Sequence, residues 1–472
     1  MKTSKWSVLA IVAIGVFMAT LDASIVNISL PKISLYFRVP LGGMVEWVII
    51  AYLIVISSIL LTLGRLSDMI GRKVIWVFGL AVFTASSVLC GVAPSLLFLV
   101  VSRAIQGIGG AMIMSVGPAM ITHAFRAGER GRALGFLGTV VAVGTSAGPT
   151  LGGIITQAFS WRWIFYINAP IGIIGIITTI RFLSEPMRPS GAAKKFDPVG
   201  AALLSLSLVL LMLAMTFGQE IGWVSPWIMG LFAASAVLLG AFVLFERRTA
   251  YPIVDLSIFN NRLFSASLVS SFLSFLSLFA VMFLMPFYLE ELLSLQPDHA
   301  GLLLTAVPLT ISLVAPVSGW LSDRYGSRVL SSLGLTVASA GLFFLSRLTQ
   351  STSLSGILWP LIVAGFGQAL FQSPNNNAIM SSVPENRIGT ASGFLATVRV
   401  LGQGFSVAMA GAIFTSLGGA KAGAMLTRNG AHDTVALQNT FVHAFQIAIL
   451  TSMIIASIGI FTSLARGHKR QD

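Results

Sequence analysis

Long apolar runs, each near the roughly 20 residues that a bilayer-spanning helix requires, alternate with short polar gaps along the whole chain. Fourteen such runs are read at 7–29, 45–64, 74–92, 96–119, 133–157, 161–182, 198–217, 224–245, 263–288, 299–321, 328–347, 354–374, 389–416 and 441–465. An even number of crossings puts both termini on one side of a membrane. The pattern predicts an all-α integral membrane protein, and no gap is long enough to hold a soluble domain.

The polar gaps repeat. Gly64–Lys73 (GRLSDMIGRK) joins runs 2 and 3, and Gly319–Arg328 (GWLSDRYGSR) returns 255 residues later between runs 10 and 11. ALGFL at 133–137 matches ASGFL at 391–395 at an offset of 258, and Gly107-Ile108-Gly109 sits opposite Gly365-Phe366-Gly367 at the same offset. Runs 1–6 therefore correspond to runs 9–14, with runs 7 and 8 inserted between them. The expected division is a six-helix bundle over 1–185, a linker with the inserted pair over 186–262, and a second six-helix bundle over 263–472. The stretch 183–197 is rich in Pro, Gly and charge, as a boundary should be. The gap 417–440 is expected to fold as a hairpin over the outer mouth.

Charge orients the chain. If the N-terminus is cytoplasmic, twenty-one Lys and Arg fall on its face of the membrane and six on the other. Under the positive-inside rule this places both termini and both repeated turns in the cytoplasm. Only 10% of residues are charged, against about 25% in a soluble domain, so the solvent is lipid. The formal net charge of +13 does not indicate nucleic acid, because the basic residues sit in the gaps rather than in a stripe. Cys90 is the single cysteine, which excludes a disulfide framework.

An ionised side chain at mid-span costs about 2.5–3.5 kcal/mol, so each one calls for a reason. Asp22 is the one acid well within a run, while Glu46, Glu220, Glu290 and Glu291 are expected at outer ends within reach of water. Arg103 and Arg399 are the two bases within runs. Asp22 lies seven residues before the end of run 1 and Arg103 seven after the start of run 4. At about 1.5 Å per residue both sit roughly 10 Å below the outer boundary, so an ion pair or shared cavity is expected. Two readings stay open: Asp22 exchanges a proton with Arg103 tuning it, or the pair is static and fixes helix packing. Arg399 has no acid at its depth, and either contacts an anionic substrate or satisfies backbone carbonyls.

Run 5 carries Gly144, Gly148 and Gly152 at intervals of four, with Pro149 and Gly153. That spacing suits close helix packing, and the proline permits a kink, so the stretch reads as ordinary packing or as a seal between the halves. Phe272, Phe275, Phe279 and Phe283 share a face of run 9 and either line an apolar substrate cavity or pack. In the turns, Gly64 and Gly71 permit close approach and positive φ, while Asp68, Arg72 and Lys73 bring opposite charges together. The five histidines show no metal-ligand spacing and no phosphate-binding loop occurs, so no metal, cofactor or ATP use is expected. No clustered reactive groups mark an enzyme.

Taken together, these residues resemble the major facilitator superfamily, and more narrowly its fourteen-span branch of drug:proton antiporters. GRLSDMIGRK resembles the superfamily signature between spans 2 and 3, and LDASIVNISLP (21–31) the first-span signature of the branch. RAIQGIGG (103–110) looks like the fourth-span arginine motif, and GTSAGPTLGG (144–153) like the antiporter motif. WRWIFYINAPIG (161–172) and the stretch from Pro384 to Phe414 are similar as well. The resemblance implies two six-helix bundles around a central cavity that open alternately to either side. It assigns proton coupling to Asp22 and Arg103, and a cytoplasmic latch to Gly64, Asp68, Gly71, Arg72, Lys73 and Asp323. It makes Gly148, Pro149 and their neighbours part of a seal against leak. The later runs hold no acid at mid-depth, unlike relatives with dicationic substrates, which leaves neutral, lipophilic or anionic compounds. The expected function is exchange of an inward proton for an outward amphiphilic small molecule, with a specific metabolite as the alternative substrate. The chain is expected to work as a monomer in the cell membrane.

Overall fold

The computed structural model describes residues 4–39, 43–125, 127–183, 197–249, 256–384, 388–427 and 434–465. These are helical throughout, with no strand among the described residues. The first part comprises α1 (Lys5–Phe37), α2 (Trp47–Ile70), α3 (Arg72–Gly91), α4 (Leu96–Ala124), α5 (Ala127–Ala158), α6 (Trp163–Tyr166) and α7 (Asn168–Phe182). Then come α8 (Pro198–Ile221) and α9 (Pro226–Glu246). The last part holds α10 (Arg262–Phe287), α11 (Pro297–Leu304), α12 (Ala306–Tyr325), α13 (Ser327–Leu345), α14 (Leu354–Ser381), α15 (Ile388–Ser416), α16 (Gly419–Leu426) and α17 (Thr434–Leu464). Among the described residues, fourteen helical stretches are long and apolar enough to cross a membrane.

Local chemistry sets the ends. Side chains of Ser4, Ser95, Asp197, Asn261 and Ser353 accept backbone N–H groups at the starts of α1, α4, α8, α10 and α14, which the helix cannot satisfy internally. The repeated turns each reverse the chain at one glycine, Gly71 with φ +116° and Gly326 with φ +84°. A side chain would be strained at either position. Gly64 is not a point of close approach, since a Cβ there would lie 3.8 Å from Ser115.

Several run boundaries move. α1 continues to Phe37, eight residues past the expected edge at 29. Run 6 is broken between α6 and α7, and run 10 between α11 and α12. The helix of run 9 continues from Phe287 into a π-helical turn, Tyr288–Leu292. That turn carries Glu290 and Glu291 into the protein, and Glu291 is 5% exposed. Glu46 is 2% exposed. Both carboxylates were expected within reach of water, and neighbouring helices cover them instead: Glu46 lies against Gly411 of α15 and Glu291 against Gly423 of α16. Residues 419–426 of the long gap form α16 rather than a hairpin, and 428–433 lie outside the described residues.

The packing itself repeats. α1 lies against α5 and α7, α2 against α4, and α3 against α4 and α7. Likewise α10 lies against α15 and α17, α12 against α14, and α13 against α14 and α17. Matched glycines make both sets of contacts possible. Gly107 sits on the Tyr52 carbonyl of α2 and Gly109 on the Phe83 backbone of α3; Gly365 sits on the Val307 carbonyl of α12 and Gly367 on the Ala338 backbone of α13. In lipid, where apolar surface alone does not drive helices together, such close backbone approach supplies much of the association. Of the inserted pair, α8 packs on α2 and α15, and α9 packs on α8.

Two seams join the first part to the last, α5 with α11 and α12, and α15 with α2. Along the second, Gly393 meets Leu61, Gly404 meets Leu53 and Gly411 meets Glu46, so α15 and α2 run antiparallel. The glycines of α5 divide between two partners. Gly144, Gly148 and Gly152 rest on Thr20, Ser24 and Ile28 of α1, within the first part. Pro149 and Gly153 instead meet Gly301 and Pro297 of α11, where Thr150 also hydrogen-bonds Thr305 and Gln157 hydrogen-bonds Gln296. The four-residue stripe is therefore packing inside one bundle, and the contact between halves belongs to Pro149 and Gly153.

Candidate functional site

α1 places Asp22 near its midpoint, where the carboxylate is fully buried. α4 brings Arg103 to it. Arg103 Nη1 donates to Asp22 Oδ2 at 2.6 Å, and the guanidinium is 1% exposed. The same Nη1 donates to Gln106 Oε1 at 2.5 Å, and Nε donates to the Val48 carbonyl of α2 at 2.9 Å. The guanidinium carbon also sits 4.2 Å over the ring of Tyr52 and 5.8 Å from that of Phe165.

The other carboxylate oxygen is held by two amides. Asp22 Oδ1 accepts from Gln106 Nε2 at 3.0 Å and from Asn168 Nδ2 at 2.8 Å. Both amides also donate to Ser87 Oγ of α3, at 2.6 and 3.3 Å. The network thus draws on α1, α2, α3, α4 and α7, all in the first part. One charge is balanced by one opposite charge, and neutral dipoles satisfy the remaining lone pairs, the condition under which a buried ion pair is tolerated.

Sequence reasoning found the pair and missed the amides. Gln106 stands three residues after Arg103 and shares its helix face, a readable signal. Asn168 is the first residue of α7, placed by the break after α6 that the apolar run concealed. Ser87 carried no signal beyond being polar in an apolar run.

The last part lacks the charged pair. At the offset of 258, Asp22 and Arg103 fall on Ala280 and Leu361. The matching helices share a neutral contact at other positions, where Ser274 of α10 donates to Gln368 Oε1 of α14 at 2.7 Å, both residues being buried.

Arg399 of α15 is half-buried and makes no hydrogen bond or ion pair among the described residues, so no backbone carbonyl among them accepts from it. Phe275 and Phe272 pack α10 against Gly402 of α15, Phe272 also meeting Phe405 at 5.7 Å between ring centres. Phe279 is half-buried against the core and Phe283 is fully buried beside Phe287. In the turn, Arg72 Nη1 donates to the Ala119 carbonyl of α4 at 2.9 Å, a contact within the first part. The expected latch also involves Asp68 and Asp323, whose side chains lie outside the described residues.

Fourteen apolar helices in two similarly packed halves, one enclosing a buried ion pair, define a multi-pass helical membrane protein. The family model described as Major Facilitator Superfamily matches residues 12–407 and 267–461, and the chain belongs to that family. It is 37% identical over 412 residues to the riboflavin transporter RibZ of Clostridioides difficile (strain 630), covering 87% of this chain and 88% of that one. It is 31% identical over 404 residues to the multidrug resistance protein Stp of Mycobacterium tuberculosis (strain CDC 1551 / Oshkosh), covering 85% and 74%. Among solved structures, a bacterial homologue of the human lysosomal transporter Spinster, inward-facing and unoccupied, superposes with a TM-score of 0.68 at 15% identity, covering 99% and 98%. A D-xylose-proton symporter superposes with a TM-score of 0.66 at 14% identity, covering 96% and 97%. Family and relatives are transporters, and the chain is not an enzyme.

Proposed function

We propose that this transporter is a proton-coupled exporter of amphiphilic small molecules, working as a monomer in the cell membrane with both termini in the cytoplasm. Two bundles, 1–185 and 263–472, would rock about the central seams, the inserted pair riding on α2 and α15. The observation that carries the reading is Asp22, a carboxylate fully buried in an apolar helix with a guanidinium at 2.6 Å. In this conformation the pair is sealed from water, and both carboxylate oxygens of Asp22 accept hydrogen bonds. Protonation would remove the attraction to Arg103, and the network would have to open for water to deliver that proton. Cycling between these states is how one carboxylate couples proton entry to the swing.

The test is paired substrate and proton flux in proteoliposomes. Asp22→Asn should leave substrate binding within a few-fold of wild type while abolishing proton-driven accumulation. Unchanged coupling would mean that the pair only braces α1 against α4.

A second reading concerns cargo. The 37% identity to a riboflavin transporter, against 31% to a multidrug resistance protein, supports one defined metabolite over a range of drugs. A transport panel of riboflavin and structurally unrelated dyes separates the two: saturable uptake of one compound alone identifies a dedicated carrier.

A further inference from the structure

Arg399 lies eleven residues into the 29-residue α15, about 16 Å along a helix about 43 Å long. A guanidinium keeps its proton in proteins and offers five N–H donors. Arg103 meets a carboxylate; Arg399 meets none among the described residues. Its neighbours along the helix have the same unmet capacity. Gln403 and Ser406 follow at spacings of four and seven, which puts all three on one face. Gln403 is half-buried and makes no hydrogen bond among the described residues, and the buried Ser406 hydroxyl has no partner either.

That face has a definite direction. Gly402 turns toward α10, and Gly393, Gly404 and Gly411 turn toward α2. With roughly 100° between successive residues, the Arg399 stripe falls between those two contact faces. Ser406 is fully buried, and α15 packs on α2 and α4 of the first part, so the stripe points into the protein between its halves rather than to lipid.

We propose that the stripe Arg399–Gln403–Ser406 is an anion-binding subsite, and that the cargo is an amphiphilic organic anion. The inference rests on the exporter reading for its physiological direction, but not for binding itself. A planar acid group would take two guanidinium N–H bonds, with the Gln403 amide and the Ser406 hydroxyl completing its shell. A cation would meet uncompensated like charge in a poorly polarisable setting. Exchange of one such anion outward for one proton inward moves two elementary charges in the same sense, so an inside-negative potential drives the cycle twice over. Exchange of a monocation for a proton moves none.

The experiment compares two dyes on one xanthene scaffold, fluorescein as the anion and rhodamine 123 as the cation. Their binding to the purified full-length protein is followed by fluorescence polarisation without any proton gradient. Wild type should bind fluorescein at least about tenfold more tightly. Arg399→Gln should erase that preference by weakening fluorescein alone. Arg399→Lys, which keeps the charge but not the fork, should keep the preference at reduced affinity and shows that a folded variant is being read. Equal binding of both dyes by wild type, absence of saturable fluorescein binding, or equal weakening of both dyes by Arg399→Gln overturns the subsite. Because no gradient is used, loss of proton coupling in Asp22→Asn with intact fluorescein binding, or the reverse, separates the two readings.

Discussion

Tyr52 holds the Arg103 guanidinium against its ring at 4.2 Å, and its own hydroxyl is buried without a partner. The ring and the hydroxyl therefore make opposite contributions. A desolvated cation–π contact stabilises by up to about 2 kcal/mol, whereas an unmet buried hydroxyl costs about 1–3 kcal/mol. Tyr52→Phe should leave the thermal unfolding temperature unchanged or raise it, and Tyr52→Leu should lower it. A loss of stability in Tyr52→Phe equal to that of Tyr52→Leu would show that the hydroxyl is satisfied.

Removing one member of the central pair should cost more than removing both. Arg103→Ala leaves the Asp22 carboxylate buried with its two amide donors and no cation, at a cost of about 3–5 kcal/mol. Asp22→Asn added to it removes the unmet charge and should recover a large part of that loss. Equal stability of the single and double variants in detergent-solubilised protein would show that the charge is not what holds α1 to α4.

The helices were legible in the sequence because spanning a bilayer demands length and apolarity, which are properties of consecutive residues. Asp22 and Arg103 were legible for the same reason, as charges where charges are expensive. What escaped depended on three-dimensional direction. Asn168 hides because α6 and α7 are equally apolar and nothing marks the break between them. Gly144, Gly148 and Gly152 announce close packing but not which helix receives it, and it is α1 rather than the other half. Glu46 and Glu291 lie near the ends of apolar runs, a position that reads as wet until α15 and α16 cover them.

The α1–α5 contact predicts a rescue. A Cβ at Gly148 would land on the Ser24 hydroxyl, with the Ile25 backbone nitrogen 3.0 Å away. Gly148→Ala forces the helices apart, an overpacking cost of about 1–3 kcal/mol. Ser24→Gly empties that space, so the double variant should regain most of the stability and transport that Gly148→Ala loses. If Ser24→Gly gives no rescue, Gly148 serves something other than this contact.

The α5–α11 seam offers the most direct test of movement between halves. Thr150 and Thr305 are hydrogen-bonded through their hydroxyls, so the two side chains touch across the seam. Cys90 is the chain's single cysteine and is buried in α3, so Cys90→Ala supplies a background free of competing thiols. Gly153 and Gly301, set against Pro297 and Pro149, bring the two backbones together next to the threonine pair. In Cys90→Ala, the pair Thr150→Cys and Thr305→Cys should cross-link under mild oxidant. If the halves part at this seam once per cycle, transport should then fall by more than about tenfold and return on reduction. Either cysteine alone should be insensitive to oxidant, which excludes damage to other groups. Transport that continues with the cross-link complete would place the moving interface elsewhere, and the α15–α2 seam, lined by Gly393, Gly404 and Gly411, would be the remaining candidate.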